Sequence, residues 1–363
     1  MLIISDEIKI TPRKIKAVLH DPAKSAKAIK LIYVQDSQPG ISRRKEGEIF
    51  CYYLGKRKVR NKQVLERIKK LAIPPAWEDV WICHLENGHL QATGIDARRR
   101  KQYKYHSLWN SFRNHTKFYR LHAFGNAIPT IRRCVEKDLA RSGMPVEKVL
   151  ATVVYLMEQT SIRIGNTAYE KLYGSFGLTT LKNKHVKIHG DHMQFIFKGK
   201  KGTAHNISLK SKRLARIIKQ CRDIPGKELF QYYDDEGNHK AIDSGMVNDY
   251  LKNITDQDFT AKDFRTWIGT VHALTAFKVL EPVNTKAEVK RNIISILDEV
   301  AAHLGNTRTV CRKYYVHPVI IGLYERGELL PYVDKFNTSN KRSEKLTKNE
   351  ELLLYILEQE GLV

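Results

Sequence analysis

The sequence has no pair of cysteines spaced as Cys-x-x-Cys: its five, Cys51, Cys83, Cys134, Cys221 and Cys311, are scattered and odd in number. That pattern argues against a zinc ribbon and a disulfide framework, and it fits a reducing compartment. Long apolar runs are also missing, and no uninterrupted stretch approaches the ~20 residues that a membrane-spanning helix needs. The first residues, Met1-Leu2-Ile3-Ile4-Ser5-Asp6-Glu7, lack the basic start and apolar core of a secretory signal, so the expected location is the cytoplasm. No internal repeat or low-complexity tract occurs. Negative charge is scarce: 39 Asp+Glu stand against 63 Lys+Arg, a formal net charge of +24. An excess of that size attracts polyanions, and nucleic acid is the default partner. Ribosome association or a plainly basic surface are the alternatives.

At 363 residues the chain has room for two domains. Residues 1 to 40 are polar and basic, end at the turn signal Gln38-Pro39-Gly40, and read as a leader onto the first domain. Ile49-Phe50-Cys51-Tyr52-Tyr53, Val80-Trp81-Ile82-Cys83 and Leu90-Gln91-Ala92-Thr93 read as strands, with a helical run from Lys62 to Leu71 closed by Pro74-Pro75. From Trp109 onward helices dominate. Val149, Leu150, Val153 and Met157 recur at helical spacing, as do Phe264, Trp267, Ile268, Val271 and Leu274, with Thr260 and Asp263 as a near capping box. One β island interrupts them: Val186 and Ile188, a turn at His189-Gly190-Asp191, then Met193, Phe195 and Phe197, then a turn at Gly199-Lys200-Lys201-Gly202 into a third strand. The predicted fold class is α+β. A small β-rich N-terminal domain covers 1–110, a mainly α-helical domain with a three-stranded sheet covers 111–335, and a basic linker with a terminal helix covers 336–363. Thr347 and Glu350 cap that last helix, which carries Leu352, Leu353, Ile356 and Leu357.

Two regions carry chemistry. Arg98-Arg99-Arg100-Lys101-Gln102-Tyr103-Lys104-Tyr105-His106 packs cations and tyrosines into one short segment; on a strand Tyr103 and Tyr105 share one face, Gln102 and Lys104 the other. Cations suit phosphates, and Gln or Tyr can reach base edges, although a solvated basic loop has the same composition. The second region runs from Leu304 to Pro318 and places Tyr314 and Tyr315 at the end of a short basic element, just before the proline. Upstream stand Arg163, Lys200 and Arg265. A tyrosine that cleaves a phosphodiester needs its proton removed, cations around the charged phosphorane, and an acid for the departing oxygen. Arginine meets the second need with a planar fork that stays charged, and lysine the third. Read locally, Arg163 is a surface arginine at a helix end, Lys200 a solvent-facing turn lysine, and either tyrosine a packed one. Arg265, near the positive end of its helix and at the edge of the apolar stripe, is better explained by anion binding.

These segments resemble the type IB DNA topoisomerases, in the small form found in poxviruses and bacteria. The resemblance spans about Gly40 to Pro331. It is carried by Thr93-Gly94-Ile95-Asp96-Ala97 through Tyr105-His106, by Arg163-Ile164-Gly165-Asn166 with Tyr169 and Gly177 to Val186, by Phe197-Lys198-Gly199-Lys200, by Lys262-x-x-Arg265, and by Tyr315-Val316-His317-Pro318. It implies Tyr315 as nucleophile, Arg163 and Arg265 as phosphate clamps, Lys200 as general acid with Lys201 as its rival, and Lys262 as an auxiliary donor. Arg100, Gln102, Tyr103, Tyr105 and Tyr169 would contact DNA. Asn306 departs from the histidine of poxvirus and cellular relatives; it can donate a hydrogen bond but cannot titrate, and a structural helix cap is the rival role. The implied protein relaxes positive and negative supercoils through a 3′-phosphotyrosyl intermediate. It needs no cofactor, ATP or metal, and closes as a monomeric C-shaped clamp on duplex DNA of the nucleoid. The alternatives are a tyrosine site-specific recombinase, which usually has His-x-x-Arg in place of Lys262-x-x-Arg265 and begins with a helical domain, and a non-catalytic DNA-binding protein.

Overall fold

Alternating strands organise the first of two units, Met1–Tyr119, and helices the second, Arg120–Val363. The structure is a computed structural model and describes residues 2–5, 8–11, 14, 17–18, 21–96, 99, 101–281, 285–338 and 344–362.

The first unit begins with an antiparallel pair, β1 (Leu2–Ser5) and β2 (Ile8–Ile10), followed by α1 (Pro22–Ala28). Then come β3 (Ile41–Glu46), β4 (Ile49–Leu54), β5 (Arg57–Lys58), α2 (Lys62–Lys70), β6 (Glu78–Ile82), β7 (Leu90–Ile95) and β8 (Lys101–Tyr105). The strands form one antiparallel sheet in the order β5-β4-β3-β6-β7-β8. Asn61 starts α2 by accepting the Gln63 and Val64 amides, and Ile68 of that helix packs on Ile41, Val80, Ile82 and Ala92 of the sheet. Gly40 is required where it stands, since a Cβ there would fall 2.1 Å from Trp81 Nε1.

The segment expected to be a leader is instead structural. Ile10, Val18, Ala26, Ile29 and Leu31 are buried in a second core with Trp109 and Phe112. The polar composition hid this because few apolar residues suffice when partners from residues 109 and 112 complete the cluster. Those partners lie on α3 (Ser107–Leu139), and the division between the two units falls inside that helix.

In the second unit α4 (Val146–Thr160) is buried nearly all round, as its apolar sequence requires. After it come α5 (Thr167–Tyr173) and the predicted three-stranded sheet, β9 (Val186–His189), β10 (His192–Lys198) and β11 (Ala204–Lys210), in the order β11-β10-β9. Then follow α6 (Lys212–Asp223), a small hairpin of β12 (Gln231–Tyr233) and β13 (His239–Ala241), α7 (Ser244–Thr255), α8 (Ala261–Lys278), α9 (Lys286–Leu304), α10 (Arg308–Tyr314), α11 (Pro318–Glu325), α12 (Leu329–Asn337) and α13 (Lys348–Gln359). Asp263 caps α8 by accepting the Thr260 amide at 2.8 Å and its hydroxyl at 3.0 Å.

The terminal helix α13 is an integral part of this unit. Leu352, Leu353, Ile356 and Leu357 are buried in the common core, and each contributes about 1.5–3 kcal/mol of gross burial. Glu350 anchors its first turn, accepting from Arg132 at 2.7 and 2.9 Å and from the Trp267 indole at 3.1 Å. Trp267 lies on α8, so the last helix of the chain braces the helix that carries Arg265.

Candidate active site

The last carbonyls of a helix lack intrahelical donors and carry the negative end of its dipole, so they attract cations. Two such ends converge here. α4 terminates at Ser161, left-handed at φ 55°, and α9 terminates at Gly305, left-handed at φ 59°. Arg265, on α8, donates from Nη1 to the Ser161 carbonyl at 2.5 Å and from Nη2 to the Leu304 carbonyl at 2.6 Å. Arg163 donates from Nη2 to the Gly305 carbonyl at 2.9 Å and to Asn306 Oδ1 at 2.6 Å.

Neither arginine pairs with a carboxylate among the described residues. Burial pushes the Arg163 guanidinium down to about 10, and the Arg265 charge adds to the shift while Tyr315 and Cys311 oppose it. Arg265 is 5% exposed, and its Nε is buried without a hydrogen-bond partner. This differs from the sequence expectation, which set Arg265 at the edge of the apolar stripe. The end of α9 and the Tyr315 ring both reach it, and only the tertiary packing brings them there.

Tyr315 ends α10 and is half-buried. The Arg265 guanidinium carbon lies 5.1 Å from its ring centroid. Tyr314 instead has the Lys313 ammonium 5.4 Å from its ring. The geometry therefore associates Tyr315 with the arginine pair. Its backbone is held by α8: the Thr270 hydroxyl lies 3.2 Å from the Tyr315 carbonyl and accepts the His317 amide at 3.1 Å.

Lys200 sits on the predicted turn between β10 and β11, exposed, with its ammonium 5.8 Å from the ring centroid of Tyr169. Tyr169 is itself exposed and stacks on Tyr173 at 5.6 Å. The neighbouring Lys201 is also exposed and takes a left-handed backbone, φ 62°. Lys262 is exposed on the first turn of α8, outside the hydrogen bonds that hold the arginines. The backbone N–H of Asn306 donates to the Ala301 carbonyl at 2.9 Å, closing α9, and its side-chain Oδ1 accepts from Arg163.

One neighbour of the arginines was missed by sequence reasoning. His205, on β11, stacks on Phe197 and lies against both Gly199 and Gly305. The only signal was its place in the alternation of β11, where half-buried and exposed residues take turns.

In the first unit, Tyr103 and Tyr105 share the exposed face of β8 as predicted, their rings stacked at 6.0 Å. Gln102 is half-buried and donates to Asp96 Oδ2 at 2.9 Å. Lys101 pairs with Asp36 at 2.6 Å. Arg100 lies outside the described residues.

The mixed α and β fold, with an N-terminal sheet and a helical unit around the arginine pair, matches a defined class. The family model described as eukaryotic DNA topoisomerase I, catalytic core, matches residues 106–326, and the model for the bacterial DNA topoisomerase IB N-terminal domain matches residues 50–96. Among individual proteins, the DNA topoisomerase 1B of Acanthamoeba polyphaga mimivirus is 32% identical over 298 residues, 79% of this chain and 88% of the relative. The DNA topoisomerase 1B of Vaccinia virus (strain Copenhagen) and the DNA topoisomerase I of Monkeypox virus are each 24% identical over 247 residues, 67% of this chain and 74% of the relative. The chain belongs to the type IB DNA topoisomerase family of enzymes. A recombinase is not favoured, and a bacterial origin does not follow, since these relatives are viral. No helix among the described residues is long and apolar enough to cross a membrane.

Proposed function

We propose that this enzyme relaxes supercoiled duplex DNA with Tyr315 as its nucleophile. The phenol oxygen attacks the scissile phosphorus in line with the 5′ oxygen. The phenol proton passes to solvent water as the Tyr315 oxygen–phosphorus bond forms and the bond to the 5′ oxygen breaks. Arg163 and Arg265 hold the nonbridging oxygens, whose charge grows in the phosphorane. Lys200 delivers a proton to the departing 5′ oxygen. The strand end then carries a free hydroxyl, torsion drives its rotation, and that hydroxyl attacks the 3′-phosphotyrosine to reseal the strand. The bond energy stays in the phosphotyrosine, so the chemistry calls for neither ATP nor a metal.

One observation carries this reading. Among the described residues Arg265 is a buried cation with no acidic partner and no acceptor for its Nε, beside the ring of Tyr315. A buried charge is costly unless it is paired, and a phosphate at this point supplies the pair.

Several finer statements belong to the same proposal. Lys262 assists at the phosphate, Asn306 orients Arg163, and Tyr169 contacts the backbone near the cleavage point. Arg100, Gln102, Tyr103 and Tyr105 read the groove. The protein works as a monomer that closes on the duplex as a C-shaped clamp, in contact with the chromosome.

The test is relaxation of negatively and positively supercoiled plasmid in EDTA without ATP, comparing wild type with Tyr315→Phe. The expected result is relaxation of both substrates by the wild type, and retained binding without relaxation by the variant. Equal relaxation by both proteins would move the nucleophile to Tyr314.

A further inference from the structure

His205 takes no part in the steps above, yet three elements hold its ring at the site. It pairs with Phe197 across β10 and β11, and the two rings stack with centroids 4.8 Å apart at 17°. Glycines confine its edges: a Cβ on Gly199 would fall 2.6 Å from both His205 Cδ2 and Nε2, and a Cβ on Gly305 2.8 Å from Cε1. Gly305 also needs its left-handed backbone, φ 59°, to end α9. Gly199 has φ −91°, which any residue adopts, so the imidazole is what excludes a side chain there. The slot therefore fixes where the ring points.

Its surroundings identify the ligand. His205 Nε2 and Arg163 Nη1 lie 3.4 and 3.7 Å from that same Cβ position on Gly305. Neither ring nitrogen hydrogen-bonds any described residue. Burial first, then Arg163 and Arg265, hold the imidazole below the usual histidine range, so it is neutral at pH 7 with one N–H to donate. A donor beside two cations meets an anion. Asn306 is committed elsewhere, its Oδ1 to Arg163 and its Nδ2 3.5 Å from the Leu304 carbonyl.

We propose that His205 is a further catalytic residue, donating from Nε2 to a nonbridging oxygen of the scissile phosphate alongside Arg163. The proposal rests on the assignment of Arg163 to that phosphate.

The experiment is single-turnover cleavage of a duplex with one cleavage site by the full-length wild type, His205→Ala, His205→Phe and Arg163→Ala. Phe keeps the stack on Phe197 but removes the donor. Both His205 variants are expected to cleave about a hundredfold more slowly, with unchanged duplex affinity. On the scissile methylphosphonate diastereomer that lacks the contacted oxygen, the wild type and His205→Phe are expected to cleave alike. Should His205→Ala fail to fold, His205→Phe carries the test. Wild-type cleavage by His205→Phe overturns the proposal, as does a deficit of the same size on both diastereomers. Wild-type cleavage by Arg163→Ala brings down the site assignment itself, and is read separately from either result.

Discussion

Gly269 lies directly beneath the Tyr315 backbone: a Cβ built on it would fall 2.8 Å from the Tyr315 carbonyl oxygen and 3.3 Å from the Tyr315 Cβ. Glycine in the middle of a helix costs about 0.5–1 kcal/mol relative to alanine. Here it lets α8, which carries Arg265, pack directly against the segment that carries Tyr315. The Thr270 hydroxyl, next along the helix, then bonds that same segment. Arg265 and Tyr315, the two groups proposed to meet at one phosphate, are thus held against one rigid element.

Gly269→Ala is therefore expected to displace Tyr315. Overpacking of this kind costs about 1–3 kcal/mol, and cleavage should fall by more than duplex affinity does. Thermal unfolding, a binding titration and single-turnover cleavage check it together. An unchanged cleavage rate would show that the backbone yields without moving the phenol.

Arg163→Met is expected to lose cleavage by about a hundredfold or more without a matching loss of fold stability. The sign follows from its depressed value of about 10, well below the ordinary arginine value. Between those values the unfolded chain binds the proton and the folded chain does not, so the buried charge opposes folding at every pH below about 10. Methionine removes that penalty. A large fall in melting temperature at pH 7 would assign Arg163 a structural role instead.

Lys200 and Lys201 are separable by the leaving group. Replacing the bridging 5′ oxygen with sulfur gives a thiolate, which departs without a proton because its pKa is near that of cysteine, about 8.5. Lys200→Ala should cleave the oxygen substrate slowly and the sulfur substrate at close to the wild-type rate. Lys201→Ala should show no such rescue. The reverse pattern would transfer the acid to Lys201.

Glu350 supplies the acid-sensitive clasp on α8. Burial pushes its carboxyl up, but Arg132, the Thr347 amide and Trp267 outweigh this, and its net value lies below the ordinary 4.5. The stabilisation is fully present above about pH 4.5 and is lost as the pH falls through the depressed folded value. Glu158, which also pairs with Arg132, is raised by burial and does not share this dependence. Glu350→Ala leaves Arg132 and the Trp267 N–H without this partner and should cost about 3–5 kcal/mol at pH 7. Glu350→Gln should flatten the fall in melting temperature between pH 5 and about pH 3.

Much of the architecture was legible because it rests on local period and turn chemistry. The alternation of Val186, Ile188, Met193, Phe195 and Phe197 predicts the strands that form, and Thr347 with Glu350 marks the start of α13. The core made by residues before Gly40 was not legible, since Ile10 and Ala26 find their partners at Trp109 and Phe112, far along the chain.

By itself the sequence determined the family, through motifs of fixed composition in a fixed order, and it named Tyr315, Arg163, Lys200 and Arg265. Tertiary structure alone decided how those residues are held. Arg265 is buried because carbonyls from residues 161 and 304 and the ring of Tyr315 surround it. His205 and Arg163 both lie against Gly305 only because the end of α9 lies against β11. Such contacts join segments a hundred residues or more apart (Ser161 to Arg265, His205 to Gly305), and neither local propensity nor hydrophobic period records which distant carbonyl or glycine a side chain will meet.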